Sequence, residues 1–464
     1  MTTHPTLSGA ANTLAAVFDR QFEYADDCLI LDADTGEQIN ISHMLPRSID
    51  DLRARVAGLS RISEFTVGLM GRTPDYMNMK FAAFHAAPKF FAGVGGYNTE
   101  GSDNLMRFCE RLARDDIALT HTIIQPNIDK RTDGKIVGNT VTLHKVGETK
   151  DSIVVRGSRI LATLAPFADE IAVYPALPLP PGAEDYALAF SIPMDIPGLK
   201  FICRDSASMP ANVFDRPISS RFDEQDAFVV FDNVEIPREL VFLDGRPGSI
   251  DIYNGMRHTG LLHNMTTQTT IRALNKLEFA YGLGIRLAEA IGDHSPATYE
   301  MLGELLSYVE VTRSAVFAST EQGYLSDEGV YFGGGRALTP MRSLLATWFP
   351  RVNEIITMIG SHNLLIAPSL KLLNDPEMRP LVDEFIHGAD DVDAVERAAL
   401  FRLAWDFVGS QLGGRNVLYE RFYLTSASRN RQTAHMGNAD RTRPFALVDS
   451  ILAAGRAASY SRPK

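Results

Sequence analysis

Cysteine is scarce in this sequence: Cys28, Cys109 and Cys203 are the only three in 464 residues. They are far apart and odd in number, and form neither a disulfide framework nor a zinc or iron–sulfur spacing. No metal site is expected, and buried thiols in a cytoplasmic enzyme are the default. No apolar run approaches the ~18 residues of a membrane span. The N-terminus, Met-Thr-Thr-His-Pro, lacks the basic-then-apolar order of a secretory signal. A basic surplus is missing too. Lys and Arg number 45 against 57 Asp and Glu, for a formal charge of −12, which argues against nucleic acid and anionic membranes as partners. Neither Gly93-Val-Gly-Gly96 nor Gly333-Gly-Gly-Arg336 is a G-x-G-x-x-G between strand and helix, so no NAD(P)-binding unit is evident. Internal repeats and low-complexity tracts are absent.

What is present reads as an ordinary soluble globular chain, 45% apolar and 22% charged, long enough for two or three packed units. The hydrophobic period divides it. Residues 1–118 read as a helical domain. Ser48 is an N-cap ahead of Ile49-Asp-Asp-Leu, and a further helix is expected from Ser102 to Arg114 with Leu105, Phe108 and Leu112 on one face. Residues 119–256 alternate with period two and read as a β-domain. Thr140–Val146 is expected as strand, Ser152–Thr163 as strand, glycine turn, strand, and Asp232 and Pro237 should end the last strand. Residues 257–464 return to helical spacing. Ile271, Leu274, Leu277 and Tyr281 share a face, and Ser295-Pro296 opens another helix, as expected of a bundle.

Gly68-Leu-Met-Gly-Arg-Thr-Pro-Asp-Tyr-Met-Asn78 carries the sharpest chemistry. The residue before a proline is pushed from helical angles, so Thr73-Pro74 should begin a helix. Arg72 then sits in the preceding turn and Tyr76 in the first helical turn. A planar cation, a phenol and a helix N-terminus suit an anionic, aromatic-sized ligand such as a phenolate. Taken alone, the stretch also reads as a surface turn with an ordinary arginine. His121, a polar ring in the mostly apolar run Ala118–Ile124, reads by itself more often as a satisfied structural histidine than as a base. Thr163 ends a strand, and Gly413-Gly414 by itself reads as a helix terminator.

Gly-Arg-Thr-Pro-Asp-Tyr at 71–76, Pro126-Asn-Ile-Asp129, Ala162-Thr163, Ser219-Ser-Arg-Phe-Asp-Glu-Gln-Asp-Ala227 and Gly413-Gly-Arg415 together resemble the 4-hydroxyphenylacetate 3-hydroxylase family. These are the oxygenase components of two-component, reduced-flavin-dependent phenol monooxygenases. The likeness runs over nearly the whole chain. It implies an α+β fold like acyl-CoA dehydrogenases: a helical N-terminal domain, a middle antiparallel β-barrel or sandwich, and a C-terminal helical bundle. It also implies hydroxylation of a phenol, ortho to its hydroxyl, through a C4a-hydroperoxyflavin made from O2 and FADH2, the latter supplied by a separate NAD(P)H:flavin reductase. Arg72, Tyr76 and His121 would meet the phenol. His121, Thr122, Gln125, Asn127, Ile128, Asp129, Lys130, Thr163, Gly413, Gly414, Arg415 and Asn416 would line the FAD. A homotetramer, or a homodimer, is implied as well. The segment Arg204–Arg216, where the family places a substrate-covering loop, is shorter and lacks its Gly/Thr/Ser-rich centre, so the phenol need not be 4-hydroxyphenylacetate. His258, His263 and Gln268 precede Arg272 in a region where some relatives use a histidine. An acyl-CoA dehydrogenase-fold lyase or oxidase, or a flavin-binding protein without activity, are the alternatives; scattered cysteines disfavour the iron–sulfur lyase.

Overall fold

A computed structural model describes residues 7–126, 136–174, 178–208, 212–256, 261–437 and 440–459. Four longer helices open it: α1 (Ser8–Glu23), α2 (Ile49–Glu64), α3 (Pro74–His85) and α4 (Thr99–Arg114). Local signals set their starts. Ser48 Oγ accepts the Asp51 amide at 3.1 Å while the Asp51 carboxylate accepts the Ser48 amide at 3.0 Å, a reciprocal cap. Thr73 is extended and Pro74 takes the first helical position of α3. Every residue of α3 from Pro74 to Phe84 is buried. It therefore runs through the interior, packed on α4 and on the first long helix of the C-terminal part. Helix α4 begins three residues before the expected Ser102, and buries Leu105, Phe108 and Leu112 as its spacing implied.

The middle strands are β1 (Leu119–Thr122), β2 (His144–Glu148), β3 (Ser152–Thr163), β4 (Glu170–Val173), β5 (Leu188–Pro193), β6 (Leu199–Cys203), β7 (Asp226–Pro237) and β8 (Val241–Asp244). They form two four-stranded sheets, in the orders β8-β5-β4-β1 and β2-β3-β7-β6. Ile153, Val155, Phe190, Ile192, Val229 and Phe231 fill the space between them. Four features differ from the sequence reading. Gly157 does not turn the chain, because β3 is one strand paired with β7 from Ser152↔Pro237 to Thr163↔Asp226. The glycine instead sits at a register shift with φ +123°, where a Cβ would lie 2.5 Å from the Thr142 carbonyl oxygen. Residues 140–143 form an isolated bridge at Thr142–Ser158 rather than a ladder, so β2 starts at His144. Strand β1 runs parallel to β4, so the sheets are not wholly antiparallel. Pro237 does end β7, but one 3-10 turn later β8 rejoins the other sheet, and Asp232 lies mid-strand against Lys200 and Arg156.

The remaining helices include α5 (Leu261–Ala290), α6 (Pro296–Glu321), α7 (Met341–Gly360), α8 (Ala394–Val408), α9 (Gln411–Phe422), α10 (Ala427–Gly437) and α11 (Thr442–Ser459). Ser295 caps α6 by accepting the Thr298 amide. Leu277, Leu287, Leu305, Phe349, Ile355 and Phe401 form the bundle core. One ionic group crosses that core. Glu420 on α9 accepts from Arg272 at 2.9 Å and from Lys276 at 3.1 Å, and all three side chains are buried. Removing the carboxylate would leave two buried cations, which is far more costly than the pair is stabilising.

Candidate active site

The turn before α3 is held from three directions. Gly71 must be glycine, since a Cβ there would lie 2.3 Å from the Tyr419 hydroxyl. The Arg72 amide donates to Glu224 Oε1 at 2.6 Å, and Arg415 Nη1 donates to Glu224 Oε2 at 2.8 Å. Arg415 also makes a two-pronged pair with Asp226, at 2.9 and 2.7 Å. Asp226 in turn accepts from Thr163 Oγ1 at 3.0 Å and from Arg204 Nε at 2.8 Å. Burial works against the Asp226 charge, but Arg415 and Arg204 outweigh it and hold the carboxyl down at about 2. This chain of ion pairs gathers Arg72, Thr163 and Arg415, which lie far apart in sequence.

The Arg72 side chain has no such partner. Its Nη2 donates to the Tyr423 carbonyl oxygen at 2.9 Å, whereas its Nη1 is buried with no hydrogen bond. Its guanidinium carbon lies 4.0 Å from the Tyr76 ring centre and 4.8 Å from that of Tyr423. The Tyr76 ring is 5.4 Å from His121, and His121 stacks on Tyr174 at 5.8 Å. Burial, then the nearby Arg72 and Lys80, push the His121 pKa well below its ordinary value, so the imidazole is neutral. Burial pushes the Tyr76 and Tyr174 phenols up, so both stay protonated. The site thus offers a cation with a free donor, a neutral ring nitrogen and a phenol. It lacks an anion.

Lys80, Tyr174, Tyr419 and Tyr423 escaped the sequence reading. Lys80 follows Tyr76 by one helical turn, a spacing that would have revealed it once α3 was drawn. Tyr419 and Tyr423 come from α9 and stack on each other at 4.7 Å beside Arg72. Only the tertiary fold brings them there. A surface cleft of about 270 Å³ lined by Asp32, His43, Phe81, His85 and Glu110 includes neither Arg72 nor His121.

The residues expected to line FAD are distributed as follows. Thr122 Oγ1 is buried with no partner, Gln125 is half-buried, and Thr163 donates to Asp226. Gly413 and Gly414 do not terminate a helix: they lie in the first turn of α9, where Ser410 Oγ accepts the Gly413 amide at 3.0 Å. Gly413 is tightly enclosed, whereas a side chain at Gly414 would meet open space. The Arg415 guanidinium is taken up by Asp226 and Glu224, and Asn416 is buried behind it. Asn127, Ile128, Asp129 and Lys130 lie outside the described residues, as do His258 and the His263 side chain. Gln268 Nε2 donates to Asp75 Oδ2 at 2.8 Å, in the first turn of α3. An orphaned buried hydroxyl one residue past His121 and an open glycine at a helix start fit a polar, planar cofactor such as a flavin.

A buried cationic site walled by tyrosines, set among a β-sandwich and helices, belongs to the class of acyl-CoA dehydrogenase-like folds. A glutaryl-coenzyme A dehydrogenase structure, 11% identical with TM-score 0.52 over 92% of this chain and 93% of that one, shares the fold. Residues 1–243 match the 4-hydroxyphenylacetate 3-hydroxylase N-terminal family, and residues 254–453 match the C-terminal family of that enzyme. The chain belongs to the 4-hydroxyphenylacetate 3-hydroxylase family. It is 33% identical to the 4-hydroxyphenylacetate 3-monooxygenase oxygenase component of Thermus thermophilus, over 94% of this chain and 88% of that one. It is 32% identical to the oxygenase component of a Rhodococcus 4-nitrophenol 2-monooxygenase, over 91% and 81%. A crystal structure of a 4-hydroxyphenylacetate 3-monooxygenase oxygenase component complexed with FAD and 4-hydroxyphenylacetate superposes with TM-score 0.91 at 31% identity, covering 99% of this chain and 94% of that one.

Because Glu224 serves both Arg72 and Arg415, its removal should be felt in stability as well as in the site. Glu224→Ala leaves the buried Arg415 short of a carboxylate and the Arg72 amide unpaired, and should cost about 3–5 kcal/mol. Thermal unfolding beside Glu224→Gln checks this: the glutamine keeps an acceptor for the amide and should lose less.

Proposed function

We propose that this chain is the oxygenase component of a two-component monooxygenase that hydroxylates a phenol ortho to its hydroxyl, with FAD reduced by a separate reductase. The observation that carries the reading is the buried Arg72 guanidinium with one unpartnered donor beside a neutral His121. A phenol oxygen placed against Arg72 Nη1 and the Tyr76 hydroxyl can lose its proton to the imidazole, and Arg72 then favours the phenolate. Negative charge delocalised from that oxygen enriches the ortho carbon for attack on an electrophile. Reduced FAD with O2, when bound, supplies the electrophilic oxygen; one oxygen atom ends on the ring and the other in water. The aromatic walls from Tyr76, Tyr174, Tyr419 and Tyr423 exclude solvent.

On this reading Thr122, Gln125, Thr163, Gly413, Gly414 and Asn416 hold the flavin, together with 127–130. Arg415 serves it indirectly, by fixing Asp226 and the start of α9. The named substrates of the relatives, 4-hydroxyphenylacetate and 4-nitrophenol, both carry a para substituent, and a para-substituted phenol is proposed here. A homotetramer in the cytoplasm completes the proposal. In its support, α11 exposes Phe445, Leu447, Val448, Ile451 and Leu452 in the single chain, an apolar face of the kind another copy covers. No helix among the described residues is long and apolar enough to cross a membrane.

Arg72→Ala should lower hydroxylation about 100-fold or more while changing FAD binding little. Product formation with an added flavin reductase, set beside a flavin-binding titration, separates the two, and equal loss of both would contradict the assignment. Truncation after residue 441 should shift the assembly to smaller species in sedimentation. An unchanged sedimentation coefficient per subunit count would remove α11 from the interface.

A further inference from the structure

We propose that Lys80 is a positioning residue which, from behind His121 and Tyr174, holds the bound phenol in its anionic form. The inference rests on the phenol site proposed above and deepens it: the ligand class becomes phenols taken up as phenolates.

Lys80 lies on α3 one turn beyond Tyr76, and its side chain is almost completely buried. Its Nζ sits 4.5 Å from the Phe84 ring centre and 5.0 Å from that of Tyr174. Tyr174 is the ring on which His121 stacks. The amine thus lies against two ring faces, those of Phe84 and Tyr174. A methionine or leucine would fill this volume without the cost of desolvating a charge, so packing alone does not account for a lysine. Two ring faces recover only part of that cost.

Among the described residues, the charged and titratable groups placed around it here are cationic or neutral. Arg72 and Tyr76 share its segment, His121 comes from β1, Tyr174 follows β4, and Arg342 projects from α7. The nearest acid along α3, Asp75, is bonded to Gln268, and burial raises its pKa. Burial, with Arg342 adding to it, brings Lys80 down to about 7, so the amine is poised between its two forms near neutrality. An anion arriving beside Arg72 and His121 would draw Lys80 to its ammonium form and be favoured by it in return. Lys80 makes and breaks no bond to the substrate. Its action is electrostatic, across the His121–Tyr174 stack.

The test uses 4-nitrophenol, whose anion is yellow and whose neutral form is not, bound to the full-length flavin-free protein and titrated with pH. In the wild type the bound ligand should ionise at lower pH than in free solution. Lys80→Met should move the bound ligand's midpoint toward higher pH, to about tenfold lower proton concentration, and Lys80→Arg should restore it. A Lys80→Met midpoint equal to wild type, with Arg72→Ala displacing it, would overturn the role given to Lys80 while leaving the phenol site standing. A wild-type protein that binds 4-nitrophenol without shifting its ionisation would overturn both. Should Lys80→Met fail to fold, Lys80→Gln set against Lys80→Arg asks the same question, because both keep the length and only one keeps the charge.

Discussion

Glu224 offers one oxygen to the Arg72 amide and the other to Arg415, joining segments 152 and 191 residues away in sequence. Those segments are the turn that opens α3 and the first turn of α9, and Glu224 itself leads into β7. Three parts of the chain therefore meet on one buried carboxylate. The arrangement uses acids to fix backbone and scaffold, through Asp223, Glu224 and Asp226, and leaves the Arg72 side chain without one. A buried guanidinium with an open donor is costly unless something completes it. Under the proposed function the phenol completes it, and the scaffold and the chemistry then share one carboxylate.

Much of this was legible in the sequence where the cause was local. Thr73-Pro74, Ser48 with Asp51, and Ser295-Pro296 each place a helix start because the cap and the proline act within one turn. The three-part division by period and the family likeness were legible for the same reason: they need no tertiary information. Arg72, Tyr76 and His121 do converge. Gly157, by contrast, reads as a turn in any window around it, and only the close approach of Thr142 makes it a bulge within a long strand. Strand β8 is too short for alternation to register. Gly413-Gly414 looked like a terminator because glycine more often stops helices than starts them, yet Ser410 caps the amide of Gly413. Asp223, Glu224 and Asp226 share one motif and Arg415 and Arg72 stand in others, but which acid meets which cation is set only by the tertiary fold.

The protonation states around α3 follow one rule. Burial strips stabilising water from His121, Lys80, Tyr76 and Tyr174 alike, and the cations push in the same direction on His121 as burial does. Beside the charged Arg72 the site accordingly holds a neutral imidazole and protonated phenols. Such a site is prepared to receive a proton and an anion together, which is what an ionising phenol brings.

A single turnover with reduced FAD, 18O2 and a panel of para-substituted phenols tests the central claim most directly. The account predicts a product with one 18O on the carbon ortho to the original hydroxyl, formed by the wild type and nearly absent with Arg72→Ala. Hydrogen peroxide as the only reduced form of oxygen, with every phenol recovered unchanged, would contradict it.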